Sequence, residues 1–255
     1  ATPCMPEARR SRAPLRSWRL PAADLQTIKK APQAALNIVR RKKWALAMEQ
    51  SFGTPFLHVA DMQEWHGIEG ISDLYRQIGK MLGCENAVER VLQEEYERVA
   101  ARYQELRAEF AKYKFCLIAH GIAYLPDALR VYQQDYGLPI TKICIIMNPS
   151  YQAETGLDDA MMQRFKDRIE LAKAEYGCDA QVLLEPSENA LREAAQSCDF
   201  VICNGHPRYA ALDVPVLYNL FDRSVWNYQG FVDIMEEVWQ MLQQPQRTGS
   251  SLLLS

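Results

Sequence analysis

Short apolar runs bounded by turn residues alternate with longer segments of helical period, and this alternation constrains the chain more than any other feature. A strand covered on both faces is apolar throughout. Such runs separated by helical stretches therefore imply an α/β fold, a doubly wound, Rossmann-like parallel sheet backed by helices. The strand candidates are 35–39, 55–59, 114–119, 142–147, 181–184, 200–203 and 215–218, with helices expected in the gaps. The last helix is the clearest. Phe231, Ile234, Met235, Val238 and Leu242 follow the three-and-four spacing of one buried face. Residues 86–113 read as a long charged helix with Val88, Val91, Leu92, Tyr96, Val99, Tyr103, Leu106 and Phe110 on one side.

These elements divide the chain into a basic leader at 1–23, expected to be disordered, a partial α/β unit at 24–84 and a linking helix at 85–113. A fuller Rossmann-like domain follows at 114–243, read as five strand–helix repeats, then a tail at 244–255. The formal net charge of −3 hides an asymmetry. Residues 1–43 carry eleven Lys or Arg against Glu7 and Asp24, so the remainder is strongly acidic. The acidic body gives no even basic surface for nucleic acid, and no apolar run is long enough to span a bilayer. The leader's composition also suits a transit-like peptide or a nucleic-acid-binding tail, and no function is assigned to it. Seven cysteines without paired C-x-x-C spacing suggest a reducing, cytoplasmic setting rather than a disulfide framework, with Cys116 and Cys144 expected to be buried.

Right-handed crossovers would bring the carboxyl ends of the strands in 114–243 to one edge, where ligands of such sheets bind. The residues just beyond those ends are His120 and Gly121, Asn148, Glu185 and Pro186, then Asn204, Gly205 and His206. The chain lacks a G-x-G-x-x-G turn after any strand, a P-loop, an H-E-x-x-H helix and a G-x-S-x-G elbow, which disfavours nicotinamide enzymes, zinc proteases and α/β hydrolases. What remains is sparse. His120, Cys203 and His206 offer imidazole and thiolate donors suited to iron or zinc, with Cys203 and His206 the candidate metal pair. The plainer reading of each is a packed cysteine or a solvated turn histidine. His58, Asp61, Glu64 and His66 form a second polar cluster, read as a loose metal set or, more simply, as a polar interface loop.

Four stretches in order resemble the nitrogenase component 1 family. ALNIVRR at 35–41 with FGTPF at 52–56 resembles the family's strand, ligand turn and "FGIP"-type step. HGIEGISDLYRQIG at 66–79 resembles its next turn and helix. KFCLIAHG at 114–121 resembles the opening of its last domain. DFVICNGH at 199–206, DVPV at 213–216 and YQGF at 228–231 resemble its end. The resemblance implies the carboxyl-terminal half of a component 1 subunit, nearest to α-type or cofactor-scaffold subunits. It also implies a possible iron–sulfur or metal–sulfur cluster, a related subunit in a homo- or hetero-oligomer, and an iron-protein reductase partner delivering electrons with ATP.

The departures from the family bear on chemistry. By the resemblance, Arg41 stands where cofactor-bearing subunits have a cysteine ligand, and the histidine ligand's region falls near Asn219 and Leu220. A guanidinium cannot replace a thiolate on iron. The basic run Arg40–Lys43 could instead hold an anionic group at the start of its helix, the plainer reading being a solvated turn. Three functions follow as expectations: an oxidoreductase-family subunit or assembly scaffold that has lost its cofactor ligands, a small-ligand module for a tetrapyrrole or metal complex, or an incomplete gene product, since the family pattern begins abruptly near Asp24. A sheet deprived of neighbours is also expected to expose an apolar patch.

Overall fold

The computed structural model describes residues 29–39, 42–59, 65–121, 125–147, 159–203, 207–218 and 225–243. A small parallel pair comes first: β1 (Asn37–Val39), α1 (Lys42–Phe52) and β2 (Phe56–His58), with Ile38 opposite Leu57. Leu57, Val59, Trp65 and Leu74 make its separate core. α2 (Gly67–Leu82) ends at Gly83, whose φ of 66° is the left-handed conformation glycine adopts at little cost. α3 (Glu85–Phe110) follows and packs against α2 and the final helix, α7 (Tyr228–Leu242).

The main sheet contains β3 (Phe115–His120), β4 (Ile140–Ile146), β5 (Gln181–Leu184), β6 (Phe200–Cys203) and β7 (Val216–Tyr218). All pairings are parallel, in the order β5-β4-β3-β6-β7. Side chains alternate across a strand, and here the alternation sorts them into two cores. Phe115, Leu117, Ile143, Ile145, Phe200, Ile202 and Leu217 join the helices α3 and α7 in the larger core. Cys116, Ile118, Cys144, Val201, Cys203 and Val216 face α6 (Glu188–Gln196) in the smaller. Because both faces are covered, the strands carry no polar stripe.

The β3–β4 connection is α4 (Leu125–Leu129) running into a π-helical turn, Arg130–Tyr136, closed by Gly137 at φ 73°. α5 (Asp159–Glu175) links β4 to β5. Two sequence expectations are corrected. The described part of the connection between β6 and β7 forms a 3-10 segment, Pro207–Leu212, where an α-helix was expected; few residues are available there, and the prolines at 207 and 215 limit α-helical hydrogen bonding. Val91 is 50% exposed, since it lies about 100° round α3 from Leu92, whose face carries the burial on to Val99, Tyr103, Leu106 and Phe110. α7 buries all five of its expected core residues.

Candidate ligand crevice at the sheet switch point

From β3 the chain winds outward through β4 and β5, then returns to add β6 and β7 on the other side. Successive connections thus depart in opposite directions from the carboxyl ends of β3 and β6, which is where open parallel sheets form a ligand crevice. His120 is the last residue of β3 and Cys203 the last of β6, with Cys203 paired to Ile118. Gly121 donates its N–H to Ile146 O at 2.9 Å and turns at φ 85°, which ends the strand. A Cβ there would meet open space, so the position requires glycine for its backbone alone.

Tyr209, from the 3-10 segment after β6, reaches the end of β3. Its hydroxyl lies 2.6 Å from His120 Nε2, and the rings sit 5.8 Å apart at a tilt of 57°. Burial pushes the phenol up to about 12, with Arg208 opposing the rise, so the hydroxyl stays protonated near neutrality. It can donate to Nε2 or accept from it, depending on the imidazole tautomer. Cys203 is buried in the apolar cluster that also holds Tyr209, and burial raises its thiol to about 12. A thiol in that state is a poor metal ligand unless the metal displaces its proton.

Glu185 closes another part of the edge. It adopts φ 50°, donates its N–H to Ile145 O at 2.9 Å and turns its carboxylate to accept the N–H of Met147. That carboxylate satisfies backbone at the end of β4. Of the remaining expected site residues, Arg41, Asn148, Asn204, Gly205 and His206 lie outside the described residues, as do Asp61 and Glu64. Among the described residues, no group of three or more His, Cys, Asp or Glu is placed to hold a metal ion.

Of the second polar cluster, His58 and His66 lie among the described residues and Asp61 and Glu64 outside them. His58 ends β2, half-buried, while His66 is buried just before α2. His66 Nε2 lies 3.1 Å from Tyr136 Oη, and its ring packs edge-on to Phe231. Asp135, in the π-turn, accepts the Glu69 N–H at 3.3 Å and Arg130 Nη1 at 3.1 Å. Arg130 Nη2 donates to His66 O at 3.2 Å, and Tyr103 Oη donates to Asp135 O at 2.8 Å. Burial, assisted by Arg130, lowers His66 to about 4. Burial raises Asp135 to about 7, although Arg130 and backbone amides pull the other way. This network ties the π-turn to the start of α2.

Tyr209, Asp135, Arg130 and Tyr136 were not singled out by sequence. Each sits in an ordinary-looking amphipathic or turn segment, and only the fold brings it to its partner. A signal existed for Tyr209 alone, as an aromatic shortly after a strand end.

The model of the nitrogenase component 1 type oxidoreductases matches residues 17–243. The chain belongs to that family. Among 38 matching chains of solved structures, one described as nitrogenase Cp1 at pH 6.5 aligns at 13% identity and a TM-score of 0.49. The alignment covers 86% of this chain and 53% of that one, so this component 1 relative spans about half of that chain's length. A search among curated proteins found no match.

Proposed function

We propose that this component 1 relative acts as a subunit or metallocofactor-assembly scaffold whose own residues do not anchor a catalytic cofactor. The observation that carries the reading is the state of the crevice: Cys203 is buried and protonated, and His120 is engaged by Tyr209. The thiolate set that a metal–sulfur cluster needs does not fit the described donors. Arg41, in place of the family's cysteine by resemblance, supports the same conclusion. The reading keeps His120, Gly121, Asn148, Asn204, Gly205 and His206 as the rim of a ligand site at the strand ends, with Arg41 as a cationic contact.

Partners follow from the exposed surface of the first unit. Trp44 is 69% exposed and Phe52 53%, with Ile38 and Leu46 beside them in sequence. Such a surface supports docking to a related subunit or a second copy. In this reading 24–84 is part of a larger unit, 85–113 links it to 114–243, and electrons would come from an iron-protein reductase that uses ATP. Among the described residues no helix is long and apolar enough to cross a membrane. A cytoplasmic location belongs to the same proposal and rests on the unpaired spacing of the seven cysteines.

The test is anaerobic purification of the full chain followed by acetylene-reduction assays with a reductase partner. No reduction is expected; measurable ethylene would overturn the proposal. The crevice's polar pair and scarcity of thiolate favour one further reading, a module for a tetrapyrrole or preformed metal complex. An organic chromophore copurifying without acid-labile sulfide would select it, whereas stoichiometric iron and sulfide would exclude it.

A further inference from the structure

Beneath the crevice, three further thiols lie in the smaller core that also holds Cys203 and Tyr209. Cys116 near the start of β3 and Cys144 in β4 face the same core, with their Sγ atoms 3.9 Å apart. Cys198, in the turn between α6 and β6, shares the buried cluster with Cys116, and Thr141 Oγ1 bridges the two positions, 3.3 Å from Cys198 Sγ and 3.5 Å from the carbonyl oxygen of Phe115, the residue before Cys116. Cys116 and Cys144 are fully buried, while Cys198 retains 8% of its surface. It lines a hollow of about 360 Å³ together with Tyr113, Asp199, Asp213 and Pro215. Of the three, Cys198 is therefore the one most accessible to a small oxidant.

The surroundings differentiate the sulfurs further. Thr141 Oγ1 lies 3.3 Å from Cys198 Sγ and Ser197 Oγ 3.9 Å. Ser197 donates its proton to Ala194 O at 2.7 Å, whereas the Thr141 hydroxyl lies nearer to Cys198 Sγ than to its other acceptor, Phe115 O at 3.5 Å. Hydrogen bonding from Cys116, then from these hydroxyls, with Lys142 nearby, lowers Cys198 to about 6. Cys116 is raised and keeps its proton, because its neighbours are thiols and it is buried. A weakly held proton on the outer sulfur suits the thiol that attacks peroxide, and the Cys116 proton must leave as that sulfur forms the second bond.

We infer that Cys198 is an oxidation site for small peroxides and that Cys116 resolves it into a Cys116–Cys198 disulfide. The Cys198 thiolate attacks a peroxide oxygen. The O–O bond breaks, the departing hydroxide takes a proton to become water, and sulfur is oxidised to a sulfenic acid. Cys116 then attacks that sulfur, the S–S bond forms and the S–O bond breaks. Hydroxide leaves with the Cys116 proton as a second water, so two thiols and one hydrogen peroxide yield one disulfide and two waters.

The test uses the full chain with Cys4→Ser and Cys84→Ser, which removes one cysteine outside the described residues and the exposed one at the α3 cap. After one equivalent of hydrogen peroxide, non-reducing peptide mapping is expected to recover the Cys116–Cys198 crosslink. Cys198→Ser is expected to abolish it, and Cys116→Ser to leave a dimedone adduct on Cys198. Before oxidation, Cys198 should alkylate at least about tenfold faster than Cys116 or Cys144. A Cys116–Cys144 disulfide forming at an unchanged rate in Cys198→Ser would overturn the inference. So would a native map in which all three remain thiols after peroxide, a result that needs no variant to fold.

Discussion

At position 67 a methyl group would land 2.0 Å from Asp135 Oδ2, on a backbone already at φ 84°. Both the conformation and the space demand glycine, and the neighbour that would have to move is a buried carboxylate held by Arg130. Gly67→Ala should therefore lower stability by about 2–4 kcal/mol in urea unfolding. The same network makes a pH prediction. His66 has its affinity for protons depressed on folding, so its contribution is full above its ordinary 6.5 and is lost as pH falls through about 4. Asp135 is raised, so its contribution is full below 3.8 and is lost as pH rises through about 7. Between about pH 4 and 6.5 the two slopes oppose. His66→Gln should leave a urea midpoint that falls with rising pH across that window, and Asp135→Asn one that rises. Parallel profiles for both variants and the parent would refute the linkage. At the crevice, Tyr209→Phe removes a buried partner of His120 and should cost about 1–2 kcal/mol, read as a shifted urea midpoint. His120 and Gly121 were legible because strand ends can be counted in the sequence. Tyr209 and Asp135 were not, since their importance comes from partners distant along the chain.

Between elements, the helix pair α3 and α7 separates two kinds of interaction. Phe231 is fully buried against Tyr136, with ring centroids 4.7 Å apart, and Phe231→Ala should cost about 3–5 kcal/mol. Arg102 and Glu236 make two hydrogen bonds across the same helices, one at 2.7 Å, yet about a third of each side chain is exposed. Arg102→Met should change stability by under about 1 kcal/mol, and equal effects from the two substitutions in thermal melts would contradict this division. The strands were readable because burial on two faces writes an uninterrupted apolar run, and 181–184 and 200–203 match their structural bounds. The π-turn at 130–136 was not readable. Its extra residue per turn answers the packing of Tyr136 and Asp135 onto α2, an interaction that leaves no local periodicity.

For the whole molecule, the first unit carries exposed large apolar side chains, with Trp44 the most exposed among the described residues. Replacing it with Glu should shift light-scattering mass toward the monomer across a wide concentration range. A parent chain that is already monomeric throughout would sink the docking role assigned to that surface. The family and sheet were accessible from sequence, whereas five of the expected site residues, Arg41, Asn148, Asn204, Gly205 and His206, lie outside the described residues. The strand order carries a further consequence. β3 is central, but its partner β6 comes after both β4 and β5, with Phe115 paired to Phe200. During synthesis on a ribosome, β3, β4 and β5 emerge and can pair while one side of β3 still offers bare amides and carbonyls. The nascent chain is thus most open to mispairing in the interval after β5 has emerged from the ribosome and before β6 follows it.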